Sequence, residues 1–222
     1  MKKVYIIQTS LVSHAELNSL FKELVPDAKV FNIVDDSLLH DVMANGGLTE
    51  KVISRMCKYF EAAAQNGADL IFNQCSSVGE AADIAANLVN VPVVKVDEAM
   101  AEEAVRLGRR IAVVATVAST MKPSCNLVRR KAIESGLEVE VIEYLVDGAL
   151  DILMKENNRE KHNSLVLEMV RKAERECDVI VLAQGSMTVL LPELKDIKKP
   201  VFTSPRLGVI KAKNVLDGGK NE

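Results

Sequence analysis

No apolar run in this chain reaches the roughly 18–20 residues a helix needs to cross a bilayer, so no membrane span is expected. Basic residues are not in surplus: 28 Lys and Arg stand against 31 Asp and Glu, a formal net charge of −3. Nothing here supplies the basic footprint of a general nucleic-acid binder. Cysteines number four, Cys57, Cys75, Cys125 and Cys177, with no CxxC pair and no metal-ligand spacing. The N-terminus, Met1-Lys2-Lys3 and then Val4-Tyr5-Ile6-Ile7, has too short an apolar run for a secretory signal and reads as a first strand. Reduced thiols and a cytoplasmic location are therefore expected. Phosphate loops are missing too: there is no GxGxxG, no GxxxxGK before Ser or Thr, and Gly46-Gly47 lacks a phosphate-loop context. What is present is ordinary for a globular chain of 222 residues, 48% hydrophobic and 27% charged, enough for one large domain or two small ones.

Strand-like and helix-like segments alternate along the chain. Val4–Gln8 is a short β-rich run, and Ser13-x-x-Glu16 has the form of a capping box opening a helix that ends before Pro26. Val30–Val34 reads as a strand. Thr49–Asn66 reads as a helix with Val52, Ile53, Met56 and Phe60 on one face and Gly67 as its stop. Leu70–Asn73 and Val93–Val96 have the composition of fully buried strands. Such alternation predicts a parallel sheet with helices on both faces. The pattern then recurs. Lys3–Thr9 resembles Arg110–Thr116 at an offset of 107, Val30 matches Val139 at 109, Ala68–Ile71 matches Cys177–Ile180 at 109, and Val91–Val94 matches Lys199–Phe202 at 108. The expected fold is α/β: two similar four-stranded parallel-sheet halves related by a pseudo-twofold, broken near Asp97–Arg109. Residues 1–97 form the first half, with the C-terminal segment a candidate to close it, and residues 98–222 form the second. The end, Asp217–Glu222, reads as a frayed polar tail.

Open parallel sheets bind ligands beyond the carboxyl ends of their strands. Those ends deliver Gln8-Thr9-Ser10, Asn73-Gln74-Cys75-Ser76-Ser77, Thr116 with Ser119-Thr120, and Gln184-Gly185-Ser186. They hold amides, hydroxyls and one thiol, and no Asp, Glu, Lys, Arg or His. That set suits a small anion held by hydroxyls and by N–H groups at helix N-termini, and it offers no metal site. Cys75 is the sharpest feature. It lies just before a helix starting near Val78-Gly79-Glu80, where a helix N-terminus lowers a thiol's pKa. Cys57, Cys125 and Cys177 read as structural. His14, His40 and His162 read as surface residues; Asp97 and Arg206 are the charges nearest the predicted rim, and Arg206 reads as solvated.

Asn73-Gln74-Cys75-Ser76-Ser77 resembles the first cysteine motif of the aspartate/glutamate/hydantoin racemases. Val113-Val114-Ala115-Thr116-x-x-x-Thr120 is similar to the motif opening their second half, and Leu182-Ala183-Gln184-Gly185-Ser186-Met187 falls where they carry a second cysteine. The resemblance spans the whole chain. It implies an active site in a cleft between the halves and cofactor-independent isomerisation at the α-carbon of a small carboxylic acid: an amino acid, a hydantoin or a dicarboxylate. One cysteine removes the proton and a second returns one to the opposite face. It also implies Cys75 as a catalytic group and Thr9, Ser10, Ser76, Ser77, Thr116 and Thr120 as donors to the enolate-like charge. Asn73, Gln184 and Gly185 complete the substrate-binding set, and a homodimer or higher homo-oligomer is the expected assembly.

The second cysteine is missing. Aligning glycine-then-nucleophile puts Ser186 in its place; aligning the strand repeats puts Gln184 there. A hydroxyl is a far weaker acid and base near neutral pH than a thiol, whose pKa is ~8.5. Single-cysteine relatives in the same superfamily include decarboxylases of malonate-type acids, and maleate isomerases use cysteine as a nucleophile. Three readings follow: isomerase, single-cysteine decarboxylase or lyase, and a non-catalytic binder of a small carboxylate.

Overall fold

The computed structural model describes residues 1–218, Met154 by its backbone alone; the end of the polar tail, residues 219–222, lies outside the described residues. The chain forms two compact units, the first built from Met1–Glu98 and the segment from Pro205 onward, the second from Ala99–Ser204.

In the first unit, β1 (Lys2–Gln8), β2 (Ala28–Val34), β3 (Leu70–Asn73) and β4 (Val93–Lys95) pair in parallel in the order β2-β1-β3-β4. Side chains alternate across a strand, so β1 feeds two cores. Val4 and Ile6 join Leu70 and Phe72 under α1 (His14–Leu24), which contributes Leu17 and Phe21. Ile7 and Ile71 pack on the other face against α2 (Ser37–Ala44), α3 (Glu50–Gln65) and α4 (Gly79–Ala86). The predicted face of α3 is the buried one in Val52, Met56 and Phe60. Thr49 caps that helix by accepting from the Val52 N–H at 3.3 Å, and Gly67 follows it at φ +76°, a conformation that favours glycine. The capping box at α1 does not form. Ser13 precedes the helix at φ −101°, ψ 8° with no side-chain cap bond, because that backbone does not aim its hydroxyl at the first-turn N–H groups.

The second unit repeats the plan. Here β5 (Arg110–Ala115), β6 (Glu140–Leu145), β7 (Val179–Leu182) and β8 (Val201–Thr203) pair in parallel in the order β6-β5-β7-β8. Around them lie α5 (Glu98–Leu107), α6 (Ala118–Glu134), α7 (Ala149–Lys155) and α8 (Arg159–Glu176). Ala112, Val114, Ile180 and Leu182 pack with Val166 and Val170 of α8 in one core.

The last helix, α9 (Ser204–Leu216), packs on the first sheet: Val209 and Ala212 share a core with Val4, Ile6 and Phe72. The second half therefore ends near Ser204 and not at the chain's end. Gly208 makes this docking possible. A Cβ there would stand 2.5 Å from the Val96 carbonyl oxygen, so only glycine lets the helix backbone approach so closely. Among the described residues no helix is long and apolar enough to cross a membrane.

Candidate functional site

Cys75 leaves β3 in extended conformation (φ −119°, ψ 121°) and enters a 3₁₀ turn, Ser76–Val78, that runs directly into α4. Its backbone is pinned on both sides: the Asn73 side-chain amide donates to the Cys75 carbonyl at 3.0 Å, and the Val78 N–H donates to the same oxygen at 3.3 Å. Ser76 and Ser77 are buried, as are Thr9 and Asn73, while Ser10 is half-buried. The first half thus brings Thr9, Asn73, Cys75, Ser76 and Ser77 to one edge of its sheet. Burial pushes the Cys75 thiol up from its ordinary value, against the pull of the Thr9 hydroxyl, the Ser77 N–H and hydroxyl, and the Val78 N–H. The residue as a whole is half-buried; its sulfur end is deep enough that desolvation prevails over those donors. This corrects the expected direction. The turn's N–H groups do reach the thiol, but a three-residue 3₁₀ turn between it and the helix proper does not offset the loss of water.

Several buried polar atoms at this edge have no protein partner: Gln8 Oε1, Asn73 Oδ1 and Asp97 Oδ1. Asp97, expected at the rim, is only 3% exposed. Burial holds its carboxyl above the usual range, opposed by a hydrogen bond from Ser76 and by the charge of Lys95. Lys95 is itself buried and engaged with Asp83 at 2.6 Å. His14 also departs from expectation. It is half-buried, and its Nδ1 lies 3.0 Å from Gln8 Nε2. The partner residues, Gln8, Asn18 and Asn32, carry no motif; an amide at the end of β1 was the one available hint.

In the second half, Gln184 leaves β7 with nearly the same backbone as Cys75 (φ −127°, ψ 130°), and its carbonyl accepts from Met187 N–H at 2.9 Å as that of Cys75 accepts from Val78. The ladders agree: Val4 pairs with Leu70 and Ile111 with Val179, which places Cys75 and Gln184 five residues beyond equivalent positions. By strand register and turn geometry, Gln184 holds the backbone position equivalent to that of Cys75. Ser186 takes the place of Ser77 and is exposed. Gln184 Oε1 accepts from the Thr116 N–H at 2.6 Å and from its hydroxyl at 3.1 Å. Thr116 and Thr120 are buried, and Gly185 is half-buried at the start of a 3₁₀ segment, Gly185–Leu194.

The remaining residues fall outside this set. Arg206 is exposed and paired with Glu23 at 2.5 and 3.2 Å. His40 is exposed, whereas His162, read as surface, is 9% exposed on the inner side of α8, where helical spacing aligns it with Val166 and Val170. Cys57 lies half-buried in α3, and Cys125 is buried in α6 with its thiol pushed up to about 12 by burial. Cys177 is buried where α8 ends, beside the Tyr144 hydroxyl at 3.8 Å. No group of three or more His, Cys, Asp or Glu able to hold a metal ion occurs among the described residues.

The profile of the family described as Asp/Glu/Hydantoin racemase matches residues 7–212. The chain belongs to that family. Solved structures share its fold at low identity. Allantoin racemase from Klebsiella pneumoniae is 17% identical at a TM-score of 0.72, over 100% of this chain and 91% of that one. An aspartate racemase homologue from Pyrococcus horikoshii is 18% identical at 0.74, over 98% and 100%. Glutamate racemase from Bacillus anthracis is 14% identical at 0.70, over 98% and 82%. A comparison with curated proteins returns no significant match.

Proposed function

We propose that this racemase-family protein is an isomerase-type enzyme acting, without cofactor, at the α-carbon of a small carboxylic acid, with Cys75 as its one reacting thiol. The observation that carries this reading is the setting of Cys75 among Thr9, Ser77 and Val78 donors, while the equivalent backbone position holds Gln184. In the proposed reaction, the Cys75 thiolate takes the α-proton, water protonates the planar intermediate on its opposite face, and the Cys75 thiol gives its proton to the hydroxide so formed. The hydroxyls of Thr9, Ser10, Ser76 and Ser77 and nearby N–H groups serve as donors to the enolate-like charge. Thr116, Thr120 and Gly185 are their counterparts in the second half. Asn73 holds the Cys75 carbonyl in place.

One observation favours a second reading. Because burial raises the thiol's pKa, Cys75 rests protonated near neutral pH, the form a decarboxylase needs. There the substrate loses CO₂, the enediolate takes the Cys75 proton, and solvent reprotonates the sulfur. Both readings are tested by incubating the protein in D₂O with D- and L-aspartate, D- and L-glutamate, 5-substituted hydantoins and methylphenylmalonate. Solvent deuterium entering the α-carbon with CO₂ release marks the decarboxylase; exchange without CO₂ and with loss of optical purity marks the isomerase. Neither, with any of these acids, speaks for a binding protein.

A further inference from the structure

A chain of amide hydrogen bonds at the carboxyl end of β1 determines which nitrogen of His14 carries its proton. The chain begins at an atom that can only accept, the backbone carbonyl of His14. Asn18 Nδ2 donates to it at 2.7 Å, so Asn18 Oδ1 must face the other way, where it accepts from Asn32 Nδ2 at 3.1 Å. Asn32 Oδ1 is therefore an acceptor, and Gln8 Nε2 donates to it at 2.6 Å. The second hydrogen of that amide points to His14 Nδ1 at 3.0 Å. Nδ1 must then accept, and the ring proton resides on Nε2. A flip of any one amide would set two acceptors or two donors face to face.

Gln8 is wholly buried, and its Oε1 has no protein partner. It immediately precedes Thr9, whose hydroxyl neighbours the Cys75 thiol. His14 is half-buried, so its far edge is not sealed in the core. We propose that His14 is a substrate-positioning residue: neutral, held by Gln8 through Nδ1, it presents Nε2–H as a donor to a carboxylate oxygen of the acid bound at Cys75. Asn18 and Asn32 act through it by fixing its tautomer. This inference rests on the reading of Cys75 as the reacting thiol.

The test uses the full chain labelled with ring-¹⁵N histidine. Only three histidines are present, so His14→Gln identifies the His14 signals by their loss. Long-range proton–nitrogen correlation near neutral pH should show His14 Nδ1 bare and Nε2 protonated, and Asn18→Leu should mix the tautomers. Malonate, or D- or L-aspartate, at a concentration that protects Cys75 from iodoacetamide should move the Nε2–H signal. His14→Leu should weaken that protection about tenfold or more, since a hydrogen bond to a charged oxygen is lost, and His14→Gln should restore most of it. A proton on Nδ1, or an unmoved Nε2–H while the acid protects Cys75, overturns the proposal. Failure of all three acids to protect Cys75 sinks the reading of the site, and the proposal with it, while leaving the tautomer assignment standing.

Discussion

Gln184 Oε1 accepts two hydrogen bonds from Thr116, one from the N–H at 2.6 Å and one from the hydroxyl at 3.1 Å. In the first half the N–H of Thr9 is met by Gln74, at 3.4 Å, one residue before Cys75. The glutamine that meets the Thr116 N–H stands at the position equivalent to Cys75 in the second half, and its side chain is occupied in holding the end of β5. Gln184→Ala should therefore destabilise the protein by about 1–3 kcal/mol, since a Thr116 N–H is left unpaired. Denaturant unfolding reads this directly; no change in midpoint would mean the pair contributes nothing.

Cys75 should alkylate slowly near neutral pH and faster as pH rises through and beyond the ordinary thiol range, because its thiol is held above its usual value by burial. Peptide mapping after timed iodoacetamide exposure follows the rate. A plateau already reached below about pH 7 would show a depressed thiol instead.

Asp97 is the natural test of how the buried edge is charged. Its folded pKa lies above the unfolded one, so its contribution to stability is fully present below about pH 4 and is lost as pH climbs through the raised folded value. Asp97→Asn keeps the shape without the titration. Its Tm relative to the parent should therefore improve over the pH interval that opens near the ordinary Asp value of about 4. A relative Tm that falls over that interval would show that the ionised carboxylate is the stabilising form.

Gly208→Ala should cost about 1–3 kcal/mol, because the added methyl meets the Val96 backbone and α9 must shift. The same substitution at Gly46, where a Cβ would meet nothing within 4 Å but φ is +66°, separates steric from conformational cost. Equal losses at both sites would remove the close-approach argument for α9.

Much of this was readable before any coordinates. Leu70–Asn73 is a strand with all four residues buried, the signature of a central strand covered on both faces, and it has the predicted bounds. The repeat offsets correspond to two sheets with the same strand order. What could not be read were matters settled by three-dimensional company. Ser13 has the right spacing for a cap but the wrong backbone angles. His162 sits among polar neighbours in sequence, yet faces inward on α8. Cys75 precedes a helix as expected, but the depth of its sulfur outweighs the helix. Ser186 and Gln184 were equally good candidates in the one-dimensional alignment. Strand pairing and the matching turn distinguish them, because register is a property of the ladder and not of the motif.

The most direct test of the central claim compares four variants, Cys75→Ala, Ser186→Ala, Gln184→Ala and Gln184→Cys, with the parent. The readout is deuterium entering the α-carbon in D₂O, with chiral analysis of product, on whichever of the named acids turns over. Cys75→Ala should abolish exchange. Ser186→Ala and Gln184→Ala should retain it within about tenfold, the scale of one lost hydrogen bond. Gln184→Cys alone should gain or raise racemisation, because it sets a second thiol at the position equivalent to Cys75. Exchange that survives in Cys75→Ala, or Ser186→Ala as inactive as Cys75→Ala, would contradict that claim.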